Sequence, residues 1–212
     1  MSENPAFRLL EKPWLYRLTQ SLLAPGADEL VVQYIQELLA HLPPAHRTVD
    51  IGCGPSSWLW RVDEHPLGVD ISPSYSSQFH IAGEPATTAS AGYLPFASRS
   101  FDGVWSVGML HHLPEEIARQ ALQEFERICS LDGYIVMIDA VLPERAWRRP
   151  LAYAVRRSDR GRYVRSQSEL ENLLPARLDW TVARHRYSYT GLEILVSWRR
   201  FTDRMDSSEG NS

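Results

Sequence analysis

From residue 28 onward, apolar residues switch repeatedly between a helical period and short strand-like runs, and this alternation restricts the chain to an α/β fold. Val31, Val32, Ile35, Leu38, Leu39 and Leu42 recur at helical spacing behind Asp28, a candidate cap, and Pro43-Pro44 ends the run. A strand over 47–51 follows, then a helix expected to start at Pro55, then strands over 67–70, 86–89 and 101–107. The clearest helix is 114–130. Proline and two glutamates occupy its first turn, and Ile117, Ala121, Leu122, Phe125 and Ile128 form one apolar stripe. Asp132-Gly133 turns the chain into the apolar run 134–138, as expected of a central parallel strand. Ser166 and Glu169 have capping-box spacing at the start of a helix to Leu174. The segments 180–189 and 192–199, joined by Thr190-Gly191, read as a closing antiparallel hairpin.

Composition narrows the function. No apolar run approaches the roughly 20 residues of a membrane span. The first residues carry neither a basic nor an apolar leader pattern, so the expected location is cytoplasmic. Cys53 and Cys129 alone make neither a disulfide framework nor a zinc site, and no metal is expected. A net charge of −4 argues against a general nucleic-acid binder. The cationic residues are 21 arginines and one lysine, and between Arg145 and Arg165 eight arginines face one acid, Asp159. A solvated face, recognition of an anionic group, and contact with an anionic membrane surface are all open for that stretch. The polar tail 202–212 lacks periodicity and is expected to be disordered.

The stretch VDIGCGPSSWLW, residues 49–60, places a glycine loop straight after a strand. A dinucleotide fingerprint needs a third glycine three residues after the second, where this chain has Ser57. Pro55, read as the first helical residue, also removes an N–H that a pyrophosphate would use. A nucleoside ligand without phosphates needs neither. Asp70, 20 residues after Asp50 at the tip of the next strand, sits where acids bind ribose hydroxyls in doubly wound folds. Asp50 is a candidate for holding a cationic group or the loop amides; a simple turn cap is the competing role for both aspartates.

TVDIGCGPS, LGVDIS, AGYLPFASRSFDGVWSVGMLHHL and LDGYIVMID together resemble the class I S-adenosylmethionine-dependent methyltransferases of the small-molecule, type 11 kind, over residues 47–142. The resemblance implies a Rossmann-like doubly wound sheet of seven strands in order 3-2-1-4-5-7-6, the seventh antiparallel, with helices on both faces. It implies S-adenosylmethionine as cofactor, held by Asp50, Gly52, Cys53, Gly54, Asp70, Ile71, Ser90, Ala91 and Ser106. Gly52 and Gly54 would lie against its methionyl and ribose part, and Asp70 would bind the ribose diol. Two positions depart from the family pattern. Ser56 stands where many relatives carry a third glycine, tolerable inside a helix. Ser90 replaces an aspartate that binds the adenine amino group, and a hydroxyl accepts more weakly than a carboxylate.

Methyl transfer is an in-line displacement, so the protein must align acceptor and methyl group and exclude water. A base is required only when the acceptor loses a proton. His111 and His112, after the fourth strand, are the candidate bases, with local packing as the competing role. Trp14, Tyr16, Asp139 and Tyr153 are candidate substrate contacts. Cys53 reads as a small buried filler rather than a nucleophile. The expected architecture is a single domain over 1–201, with 1–42 an N-terminal helical cap and 145–165 a substrate-covering insertion. The expected activity is methyl transfer to an O, N or C atom of a small organic molecule, an anionic acceptor being one option. A non-catalytic cofactor-binding scaffold and a nucleotide-dependent oxidoreductase are the rivals.

Overall fold

The computed structural model describes residues 26–157, 161–175, 180–187 and 192–200. Their seven strands form one sheet in the order β3-β2-β1-β4-β5-β7-β6. These are β1 (Thr48–Ile51), β2 (Leu67–Asp70), β3 (Ala86–Thr88), β4 (Phe101–Val107), β5 (Cys129–Val141), β6 (Thr181–Tyr187) and β7 (Leu192–Arg200). Pairings from β3 through to β5 are parallel, and β7 runs antiparallel to both β5 and β6. The strand order and the closing hairpin match the sequence expectation.

Two helices make the main cover. Helix α1 (Ala27–His41) buries Val31 and Ile35 against Trp105, Tyr134, Val136 and Ile138 on one face of the sheet. On the other face α3 (Glu115–Ile128) presents Ala118, Ala121, Leu122 and Phe125 to Val104, Ile135 and Met137. Residues 135–138 of β5 therefore alternate between two cores, which is why the run is continuously apolar. Each large side chain buried this way contributes about 1.5–3 kcal/mol.

Local details depart from the sequence reading. The helix expected at Pro55 does not start there: residues 54–56 form a turn and bend, and only a short 3-10 helix, Trp58–Val62, follows. Ser56 is accordingly outside any helix. Asp28 lies within the first turn of α1, whose cap is Gly26 in a left-handed conformation. Helix α2 (Pro73–Ile81), which the sequence reading did not assign, starts with proline in its first turn and buries Ser76 and Phe79. Its amphipathic signal is faint because polar serines share the helix with few apolar residues. The Asp132-Gly133 turn is absorbed into β5 as an irregularity, where β4 advances from Phe101 to Gly103 while β5 advances from Cys129 to Tyr134. A Cβ on Gly133 would come within 2.7 Å of the Asp102 carbonyl.

The arginine-rich stretch after β5 forms a short 3-10 turn (Ala146–Arg148) and helix α4 (Pro150–Arg157). Glu193 on β7, only 1% exposed, forms ion pairs with Arg149, Arg184 and Arg186, and Arg156 donates to its carbonyl at 3.3 Å. Arg184 also donates to the Leu142 carbonyl at 2.6 Å. One buried carboxylate thus ties α4 and the edge hairpin together. Helix α5 (Gln167–Glu171) opens with the expected reciprocal capping box of Ser166 and Glu169 and ends before Leu174. The tail 202–212 lies outside the described residues.

Removing one member of a buried ion pair leaves the partners' charges uncompensated. Glu193→Gln is expected to lower unfolding free energy by about 3 kcal/mol, at the low end for such losses because its arginines are partly wet. Urea denaturation checks this, and a change under about 1 kcal/mol would show that the cluster does not anchor α4.

Candidate active site

A cavity of about 1080 Å3 opens at the C-terminal ends of β1, β2 and β4. Open α/β sheets bind ligands at this edge. The volume is at the upper end of typical ligand pockets, room for a nucleoside-sized molecule and a second reactant.

The glycine loop forms its floor. Gly52 and Gly54 both adopt positive φ, +76° and +62°, but for different reasons. A Cβ on Gly52 would meet the Met109 side chain at 2.5 Å, so this glycine serves packing beneath the loop. A Cβ on Gly54 would meet nothing within 4 Å, leaving that backbone open to a ligand. Both glycines line the cavity, Gly54 with its backbone open to it and Gly52 packed against Met109. Ser57 explains the missing third glycine. Its hydroxyl donates to Asp50 Oδ2 at 2.6 Å and accepts from Leu59 N at 3.1 Å, joining the strand tip to the 3-10 helix.

Asp50 lines the cavity, and its Oδ1 has no hydrogen-bond partner among the described residues. Burial raises its pKa to about 7 despite the Ser57 hydrogen bond, with the nearby Asp70 charge adding to the rise. Asp70 accepts from Gly54 N at 3.0 Å and Ser72 N at 2.9 Å, so β2 holds the loop in place while its carboxylate faces the cavity. Ile71, Ala89, Ala91 and Ile117 give an apolar wall, and Ser90 lies beside them. The Ser90 hydroxyl accepts weakly from Gly92 N, at 3.4 Å. Burial pushes the Cys53 thiol pKa well up, consistent with a filler.

The two histidines part company. His112 lines the cavity. His111 does not: its Nδ1 lies 2.5 Å from Asp139 Oδ1, and its N–H donates to Asp139 Oδ2 at 3.3 Å. The rings stack 4.1 Å apart. Residues 161–165 strap over this turn. A Cβ on Gly161 would reach 2.0 Å from the His111 ring, Tyr163 N donates to the His111 carbonyl, and Arg165 donates to the carbonyls of Leu110 and Leu113. Burial disfavours the Asp139 charge, but His111 and the backbone N–H groups outweigh it and hold this carboxyl below its usual pKa.

Other sequence candidates move too. Asp139 is committed to His111 and does not line the cavity; neither does Ser106, buried beside Met137 in the sheet. Tyr153 on α4 is also outside the lining. Trp14 and Tyr16 lie outside the described residues. The sequence reading missed Asp28 and Arg61, a charged pair 3.5 Å apart at the cavity wall, and the aromatics Trp58 and Tyr75. Only the tertiary fold brings α1 to the 3-10 helix, so no local signal marks that pair. Among the described residues no three metal-ligating side chains lie together.

The strand order with an antiparallel seventh strand and a glycine loop at the β1 tip defines the class I methyltransferase fold. Residues 49–137 match the methyltransferase domain family. Over that stretch, less than half of its length, the chain is similar to methyltransferase domains. Its fold is similar to that of a Thermotoga maritima S-adenosylmethionine-dependent methyltransferase, described as a possible histamine N-methyltransferase, with TM-score 0.67 and 19% identity, covering 92% of this chain and 99% of that one. A geranyl diphosphate C-methyltransferase of Streptomyces coelicolor, solved with S-adenosyl-L-homocysteine, gives TM-score 0.63 and 10% identity over 82% and 78% of the two chains. In sequence the chain is 38% identical to a tRNA U34 carboxymethyltransferase of Hahella chejuensis over 34% of its length. It is 25% identical to the methyltransferase GfsG of Streptomyces halstedii over 57%. The aligned regions span 26% and 46% of those relatives' lengths.

The site fits this cofactor. Gly54 leaves backbone open, Asp70 adds a carboxylate to the lining, and Asp50 carries a buried oxygen without a partner among the described residues. The absence of a third glycine and the closing hairpin set the chain apart from the dinucleotide oxidoreductase reading.

The raised pKa of Asp50 has a stability consequence. The folded value, about 7, exceeds the ordinary 3.8, so its contribution is full below about pH 4 and is lost as pH rises to about 7. Asp50→Asn, which still accepts from Ser57, is expected to match the wild type near pH 4 and exceed it by up to a few kcal/mol at pH 8. Urea denaturation of both proteins across this range checks the sign; parallel profiles would mean that Asp50 is ionised throughout.

Proposed function

We propose that this protein transfers a methyl group from S-adenosylmethionine to an O, N or C atom of a small organic molecule. The observation that carries the reading is the single cavity edge where the open backbone of Gly54, the Asp70 carboxylate and His112 converge. When bound there, the cofactor supplies an electrophilic methyl group on a sulfonium.

The chain's own residues have defined tasks in this reading. Gly54 and Asp70 hold the ribose end, the apolar wall at Ile71 and Ala91 receives the adenine, and Ser90 offers a weaker acceptor than a carboxylate. Asp50 receives the cationic amino end. His112 faces the acceptor and takes its proton where one is lost. His111 and Asp139 act as positioning residues, fixing the 110–113 turn from behind. The reading assigns residues 1–42 and 145–165 to covering the acceptor side of one domain.

A second reading has a specific observation behind it. Several relatives are named as tRNA methyltransferases, including tRNA U34 carboxymethyltransferases and a probable tRNA methyltransferase 9B of Mus musculus. An RNA acceptor is therefore the rival substrate class.

Radiolabelled S-adenosylmethionine incubated with the protein and fractionated cell extract separates the two. Label is expected in the small-molecule fraction; label confined to RNA would replace the reading with its rival. Asp70→Ala is expected to weaken cofactor binding about tenfold to a hundredfold, by loss of charge-assisted hydrogen bonds. His112→Ala is expected to lower kcat by about 100-fold or more with calorimetric cofactor affinity retained. Unchanged turnover would restrict this site to alignment alone.

A further inference from the structure

The arginines of 145–165 divide into two sets. Arg149 and Arg156 turn inward to Glu193, and Arg165 binds the 110–113 turn, so none of these is a solvated surface charge. With Ala152 fully buried beside them, α4 has one fixed rotation on the sheet. Its outward side is fixed as a consequence, and exposes Leu151 (58%), Ala154 and Arg157. Trp147, 74% exposed, stands on the 3-10 turn just before it. Exposed Arg145 and Arg148 flank Trp147, with the Arg148 guanidinium over the Trp147 ring at 4.8 Å. The one exposed acid at this turn, Glu144, is paired with Arg184.

We infer that this face docks on a phospholipid bilayer bearing anionic headgroups. The chemistry is that of a membrane-interface patch: an exposed tryptophan on the 3-10 turn and an exposed leucine on α4, with arginines around them for the headgroups. Nucleic acid is the poorer match. It would satisfy the arginines and stack on Trp147, but Leu151 and Ala154 offer no hydrogen bond and would stay apolar against polar groups. The whole chain carries a net charge of −4, so attraction is local to this patch and screened beyond about 10 Å at 0.1 M salt. The inference stands apart from the identity of the methyl acceptor.

The test is co-sedimentation of the full chain with phosphatidylcholine vesicles, with and without an equal share of phosphatidylglycerol, at low and high salt. Binding is expected only with phosphatidylglycerol and is expected to fall with salt. Each arginine near such a surface strengthens binding about fivefold, so R145E/R148E is expected to lower the partition coefficient at least about tenfold. Trp147→Ser with Leu151→Ser is expected to lower it by a similar factor at unchanged salt dependence. All four positions are exposed, and an unchanged melting temperature and far-UV circular dichroism spectrum confirm that the variants are folded. No vesicle binding, equal binding to neutral vesicles, or full binding by either double variant would overturn the inference. So would filter retention of bulk tRNA by the wild type without any vesicle binding.

Discussion

The site depends on a buried hydrogen bond between Ser57 and Asp50. A class I loop must leave backbone exposed at the end of β1 while holding its shape, and glycines alone cannot supply rigidity. Here the Ser57 hydroxyl ties the strand-tip carboxylate to the Leu59 N–H in the 3-10 helix. That link stands where a full helix turn at Pro55 was expected and leaves the second Asp50 oxygen without a partner among the described residues. Asp70 completes the frame by accepting from Gly54, so two acids from neighbouring strands hold one loop. The serine that breaks the dinucleotide pattern is the residue that organises this one.

At the other end of the cavity the same logic works through β5. Asp139 and the strap 161–165 enclose His111, leaving His112 on the cavity side. Two adjacent histidines thereby take different environments without any difference in local sequence. The strap is held because Arg165 reaches three carbonyls of this region and Tyr163 N donates to the His111 carbonyl. A run of charge that reads as a solvated face is in large part internal fastening.

Much of the frame was legible from residue order. The apolar stripe of α3, the continuous run in β5, the capping box at Ser166 and the closing hairpin each carry short-range signals that packing then respects. Gly54 and Asp70 were legible too, because motif spacing around β1 and β2 is a local property; Ser90 came only from the resemblance of the motif that follows it. Less visible was what depends on contacts between distant elements. Helix α2 has a weak apolar pattern, since burying Ser76 and Phe79 against β2 and β3 matters more than its own periodicity. Asp28 and Arg61 meet only after the sheet has formed.

The sequence by itself determined the alternation of helices and strands, the closing hairpin, the nucleoside-type loop and the set of polar residues available to the site, because each follows from periodicity and spacing along the chain; the strand order was what the resemblance of its motifs implied. Tertiary structure alone decided which of those residues face the cavity. It sent Asp139 and His111 to each other, buried Ser106, turned Arg149 and Arg156 onto Glu193, and left Trp147 and Leu151 outside. The physical reason is that a side chain's role is set by its partners and its desolvation, and both are fixed only when separate elements close on one another.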